Sequence, residues 1–118
     1  MKKKILVTDD DPFLRDIFRF ILEQAGYEVE VLADGTPILE NHYDIPDLYL
    51  LDKQLPGIDG LEICKHLKSQ KNTQNIPVIM ISANIGVGIQ AKEAGADAFI
   101  EKPFEKGHLL EVVEGYIH

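Results

Sequence analysis

The chain has 118 residues, 45% of them hydrophobic and 27% charged, enough to close one hydrophobic core, and a single domain is expected. A formal net charge of −8 argues against a nucleic-acid surface, and one cysteine, Cys64, rules out an internal disulfide and agrees with a reducing compartment. No wholly apolar run exceeds four residues and Asp9 interrupts, after four residues, the stretch that follows the basic N-terminus, so neither a membrane span nor a signal peptide is expected and the cytoplasm is the expected location.

Two patterns alternate along the chain. Lys4–Thr8 is a β-branched and aliphatic run that reads as a strand, with Lys2–Lys4 as its solvated start. Asp11 offers a helix cap and Pro12 a first helical residue, which predicts a helix from Pro12 to Ala25 that stops at Gly26. Its apolar residues, Phe13, Leu14, Ile17, Phe18, Phe20, Ile21 and Leu22, spread over roughly 200° of arc, more than a core-facing stripe needs. The excess edge, Leu14, Phe18 and Leu22, reads as a candidate docking surface for a kinase partner. Glu28–Leu32 forms a second strand, and Thr36-Pro37 repeats the cap-plus-proline signal for a short helix to about Asn41. Leu48–Leu51 is the third strand. A helix from Asp59 or Gly60 to Ser69 then places Leu61, Cys64 and Leu67 on one stripe, with Cys64 in the core. Val78–Ser82 is the fourth strand. The helix expected from Gly86 to Ala94 is weak, because Gly86 and Gly88 each cost about 1 kcal/mol relative to alanine, so this segment should be mobile or begin late. Ala98–Glu101 and a helix from Glu105 to Ile117 complete the pattern. Five strand-then-helix repeats predict a doubly wound α/β domain, its parallel sheet covered on both faces.

Ligands of an open parallel sheet bind outside the carboxyl ends of its strands. The first strand runs into Asp9, Asp10 and Asp11, the third into Asp52, the fourth into Ser82-Ala83 and the fifth into Glu101-Lys102-Pro103. The second offers only Ala33-Asp34-Gly35, an ordinary turn. Several carboxylates at one rim suit a hard divalent cation, and Mg²⁺ favours one or two carboxylates plus water and a phosphate oxygen. Lysine and serine beside them suit an anion. Metal, lysine and serine around one protruding carboxylate are the parts of a phosphoryl-transfer site, with Asp52 as nucleophile because it stands alone on the central strand. Asp11 and Asp59 are read as helix caps. His42, His66, His108 and His118 show no ligand spacing and are read as surface residues.

The stretches ILVTDDDP, DLYLLDKQLPGIDGLE, VIMISA and AGADAFIEKPF, in order from end to end, resemble the receiver domain of the bacterial response-regulator family. The resemblance implies a flavodoxin-like (βα)5 fold with a parallel five-stranded sheet in the order 2-1-3-4-5. It implies two-component signal transduction, in which Asp52 is phosphorylated by a sensor histidine kinase or histidine phosphotransfer protein with Mg²⁺ as cofactor. Catalysis would be limited to the domain's own phosphorylation and dephosphorylation. By position, Asp9 and Asp10 match the acidic pair, with Asp10 as the direct metal ligand and Asp9 acting mainly through metal-bound water, while Ser82 matches the switch hydroxyl, Lys102 the phosphate-binding lysine and Phe99 the switch aromatic. The backbone of Ala83 would join the phosphate site, the backbone carbonyl of Gln54 would complete the metal shell, and Lys102-Pro103 would be a cis peptide. Phosphate on Asp52 would draw Ser82 inward and let Phe99 repack. That would bias the face of the fourth helix, fifth strand and fifth helix toward an output protein or domain, with phosphorylation-dependent dimerisation left open.

Several positions depart from the family pattern. Ser82 stands for the commoner threonine, Leu55 for methionine, and Phe99 has no hydrogen-bonding group, so it would switch by packing. The stretch from Ser82 to Gly95 is slightly shorter than usual. Gln54 and Asn84 occupy positions that in this family tune phosphorylation and dephosphorylation. Other readings are a phosphorylation-independent interaction module and a haloacid-dehalogenase-type phosphatase with Asp9 as nucleophile. A flavodoxin-like electron carrier lacks its phosphate loop after the first strand. No output domain follows the fifth helix in this chain, so a stand-alone receiver and a fragment of a longer protein are both open.

Overall fold

The computed structural model describes residues 2–84 and 86–117, so the surface position expected of His118 lies outside the described residues. Strands and helices alternate as β1 (Lys4–Thr8), α1 (Pro12–Gln24), β2 (Glu28–Leu32), α2 (Thr36–Leu39) and β3 (Leu48–Asp52). They continue as α3 (Gly60–Ser69), β4 (Val78–Ser82), α4 (Val87–Glu93), β5 (Ala98–Glu101) and α5 (Lys106–Tyr116). Every strand pair is parallel and the order is β2-β1-β3-β4-β5, the expected flavodoxin-like sheet. Among the described residues no helix is long and apolar enough to cross a membrane.

The sequences of the three central strands explain their place. All residues of β3 (LYLLD) and β4 (VIMIS) are buried, as strands covered on both faces require. Successive side chains point to opposite layers. Ile5, Val7, Leu48, Leu50, Ile79 and Ile81 pack with Phe18, Ile21 and Leu22 of α1 and Leu109 and Val113 of α5. Leu6, Tyr49, Leu51, Val78 and Met80 pack on the other side with Ile38, Ile63, Cys64, Leu67 and Ala91 from α2, α3 and α4. Cys64 is core, as expected. Lys2 and Lys3 are exposed, whereas Lys4 pairs with Glu30 at 2.8 Å.

Two helix caps match the sequence reading. Asp11 accepts the Phe13 N–H at 2.9 Å with Pro12 leading α1, and Asp59 accepts the Leu61 N–H at 2.8 Å to start α3. At α2 the cap position belongs to Gly35, and the Asp34 carboxylate takes the Thr36 N–H at 2.8 Å. Thr36 is thus the first helical residue and not the cap, and the helix ends at Leu39. The fourth helix runs Val87–Glu93, one residue inside each of its expected ends. β3 extends one residue beyond its expected end because Asp52 pairs with Ile81 in the ladder.

The excess apolar surface of α1 is real, but its edge is displaced from the predicted one. Phe18 and Leu22 are 1% and 0% exposed and belong to the core, so neither can dock a partner. Phe104, in the loop after β5, stacks on Phe18 with ring centroids 5.1 Å apart and covers the edge that a helical wheel leaves open. Leu14 is half-buried. The apolar side chains that α1 presents to water are Phe13 and Phe20, 69% and 61% exposed.

Candidate functional site

The sheet brings the predicted side chains to one rim by extending its hydrogen bonding past the strand ends. The Asp9 N–H donates to the Leu32 carbonyl at 3.0 Å, Lys53 to Ile81 at 2.9 Å and Lys102 to Ser82 at 2.9 Å. Gly60 is required here because a Cβ on it would strike the Asp52 carbonyl oxygen, so α3 starts directly against the backbone that carries Asp52.

At the centre, the Lys102 Nζ donates to Asp9 Oδ2 at 3.1 Å and to Asp52 Oδ2 at 3.2 Å. The other carboxylate oxygens are held by backbone. Asp9 Oδ1 accepts the Asp11 N–H at 3.0 Å and Asp52 Oδ1 the Gln54 N–H at 3.2 Å. Both acids are almost out of water, whereas Asp10 is exposed. Burial pushes the Asp52 carboxyl above its ordinary range and the Asp9 charge adds to this, against the pull of Lys102 and the Gln54 N–H. Burial alone would lower the Lys102 ammonium, but Asp52 and Asp9 reverse that and leave its pKa raised, so it stays charged. One carboxylate oxygen from each of Asp9, Asp10 and Asp52 lies within 4.8 Å of the others. This all-oxygen set, closed on the protein side and open at Asp10, fits a small hard cation that completes its shell with water.

Ser82 is fully buried, and its Oγ accepts the Asn84 N–H at 3.0 Å. Its single proton points to Gln54 Oε1 at 3.4 Å. Asn84 closes its own turn by accepting the Gly86 N–H at 3.0 Å. Phe99 is half-buried against the second core layer, facing Gly88 of α4. Lys102-Pro103 is cis. Ala83 follows Ser82 and shares with Lys102 the wall of an apolar groove of about 390 Å³, formed by Leu14, Ile17 and Ile21 of α1 with Pro103 and Phe104.

Two contacts were not anticipated. The Arg15 Nη1 donates to the Asp9 carbonyl at 2.8 Å. Helical side chains lean toward the N-terminus, so an arginine four residues past the Asp11 cap reaches back to the strand end. That spacing was the available signal. Gln54 stood out only as a tuning position of the family, and nothing in the sequence pointed to its side-chain contact with Ser82.

The profile of the response regulator receiver domain matches residues 5–114. Among curated relatives, the DNA-binding dual master transcriptional regulator RpaA of Synechocystis is 37% identical over 117 residues, which is 97% of this chain and 48% of that protein. The chain thus spans about half the length of the curated relatives it matches. The chemotaxis response regulator CheY4 of Vibrio cholerae is similar in structure, with a TM-score of 0.91, 27% identity, and coverage of 99% of this chain and 100% of that one. So is the receiver domain of a sensor histidine kinase from Pseudomonas aeruginosa, solved with magnesium coordinated in its active site cleft (TM-score 0.88, 26% identity, 98% of each chain covered). Because the match runs through the whole sheet on which the acid–lysine rim is built, the chain belongs to the receiver domains of two-component response regulators.

Proposed function

We propose that this receiver is a phosphorylation-controlled switch in which Asp52 takes a phosphoryl group from the phosphohistidine of a sensor histidine kinase or histidine phosphotransfer protein. The observation that supports this most is the Lys102 bridge, one ammonium shared by two buried carboxylates at 3.1 and 3.2 Å. Asp52, Asp9, Asp10 and the backbone carbonyl of Gln54 would hold Mg²⁺, Asp10 directly and Asp9 mainly through water. Bound there, the cation neutralises charge on the transferred group. The Asp52 oxygen released by Lys102 attacks phosphorus, the phosphorus–nitrogen bond breaks, and its electron pair stays on the imidazole of the donor. Lys102 turns its charge to the new phosphoryl oxygens, and the backbone N–H of Ala83 donates to them as well. Chemistry is thus confined to the domain's own phosphorylation and dephosphorylation.

Ser82 carries the signal outward. Its proton leaves Gln54 Oε1 for a phosphoryl oxygen, Phe99 repacks against α4, and the α4-β5-α5 face changes its affinity for an output protein, a linked domain or a second copy. The names of the curated relatives support an output in transcription. A net charge of −8 assigns any DNA contact to a region outside these residues, and the protein would work in the cytoplasm. The kinase partner docks over the groove of Leu14, Ile17, Ile21, Pro103 and Phe104, with exposed Phe13 on the same helix, in place of the buried Phe18 and Leu22.

Mass spectrometry after incubation with acetyl phosphate and Mg²⁺ tests this reading. We expect one added phosphoryl group that Asp52→Asn abolishes. An unchanged mass, together with no response to beryllofluoride, would overturn it. Phosphomonoester turnover lost in Asp9→Asn and kept in Asp52→Asn would assign the nucleophile to Asp9 instead.

A further inference from the structure

We infer that Arg15 is a positioning residue of the acidic pocket, holding Asp9 in place while Lys102 moves. The inference rests on the proposed cation site and extends it to a side chain outside the metal, phosphate and switch groups. The Arg15 guanidinium donates to the Asp9 carbonyl at 2.8 Å. Every other polar group of Asp9 is already engaged: its N–H with Leu32 at 3.0 Å, Oδ1 with the Asp11 N–H at 3.0 Å and Oδ2 with Lys102 at 3.1 Å. The Lys102 contact is the one that phosphoryl transfer must break. Once it breaks, the Asp11 N–H is the remaining protein contact on the carboxylate, and the backbone beneath it is held by the sheet and by Arg15.

The location of Arg15 supports a role beyond the helix. It sits just past the first turn of α1, a turn with no acidic residue, where a cation opposes the helix dipole. The contact with Asp9 offsets that cost and ties α1 to the end of β1. A guanidinium suits the task, because its planar fork loses little freedom per bond and stays charged at any working pH.

Charge and positioning predict opposite signs, which makes the inference testable. If Arg15 acted only as a cation near three carboxylates, its removal would tighten Mg²⁺ binding. If it positions Asp9, removal weakens binding, since partners that orient metal ligands are typically worth about tenfold or more in affinity. Mg²⁺ affinity is to be measured by isothermal titration at fixed ionic strength for wild type, Arg15→Met and Arg15→Lys, with thermal unfolding of each in EDTA. We expect Arg15→Met to bind about tenfold more weakly and Arg15→Lys, which keeps the charge and a donor, to recover at least half of that loss on a logarithmic scale. Arg15→Met binding as tightly as wild type or more tightly overturns the assignment, as does a loss that Arg15→Lys shares in full. Should Arg15→Met not fold, the ratio of Arg15→Lys to Arg15→Gln gives the same reading, with Gln the weaker binder. Wild type that binds no Mg²⁺ at all defeats the proposed function itself, a result distinct from any difference among the variants.

Discussion

Replacing Lys102 with methionine would remove the ammonium 3.1 Å from Asp9 and 3.2 Å from Asp52 while keeping a stem of similar volume. The two acids are 1% and 4% exposed, so neither regains its hydration without local rearrangement. An ion pair at this separation is worth about 5 kcal/mol at an effective dielectric of about 20, and desolvation of the lysine takes back part of that. The loss also has a ceiling, because the variant can bind a proton instead. Holding a carboxyl of ordinary pKa 3.8 neutral at pH 7 costs about 4 kcal/mol. The expected loss is therefore about 2–4 kcal/mol, or about 8–16 °C in Tm for a chain of 118 residues.

The pH dependence carries the diagnostic sign. Burial and Asp9 already hold Asp52 above its ordinary range, and Lys102 opposes them. Without Lys102 the folded state retains a proton that the unfolded chain releases above its ordinary value. The variant's stability then falls by up to about 1.4 kcal/mol per unit as pH rises from 5 to 7, so its deficit is greatest at pH 7. Thermal unfolding followed by circular dichroism in EDTA at pH 5, 6 and 7 measures this. A deficit of the same size at pH 5 and pH 7 would refute the electrostatic account.

Three further outcomes follow from the same geometry. Gly60→Ala should cost about 1–3 kcal/mol and displace Asp52, because the new Cβ meets backbone that cannot swing aside; urea unfolding at wild-type concentrations would contradict this. Asp11→Ala should lose about 1 kcal/mol of stability through the missing cap on Phe13 while Mg²⁺ affinity stays near wild type, and a lost metal site would undo the division between Asp11 and its two neighbours. Gln54→Leu should free the Ser82 proton and tighten beryllofluoride binding by about two- to fivefold, given the usual net worth of one neutral hydrogen bond. The effect should vanish in a Ser82→Ala background, and an equal effect there would place Gln54 elsewhere in the chemistry.

Taken by itself, the sequence determined which residue types stand at the rim. Full burial of LYLLD and VIMIS, the caps at Asp11 and Asp59, and the residues that end each strand are local patterns, legible from period and spacing. Only the tertiary structure decided which atoms meet. Lys102 reaches Asp9 and Asp52 across 93 and 50 residues of chain, and that bridge depends on strand register and twist. The exposed edge of α1 turned on Phe104, which packs over Phe18 from a distant loop and leaves Phe13 and Phe20 in water. Arg15 on Asp9 and Gln54 on Ser82 likewise depend on how a helix and a loop settle against the sheet. Periodicity sets the spacing of side chains along an element, but its rotation about its own axis is fixed by what packs against it, and those partners come from far along the chain.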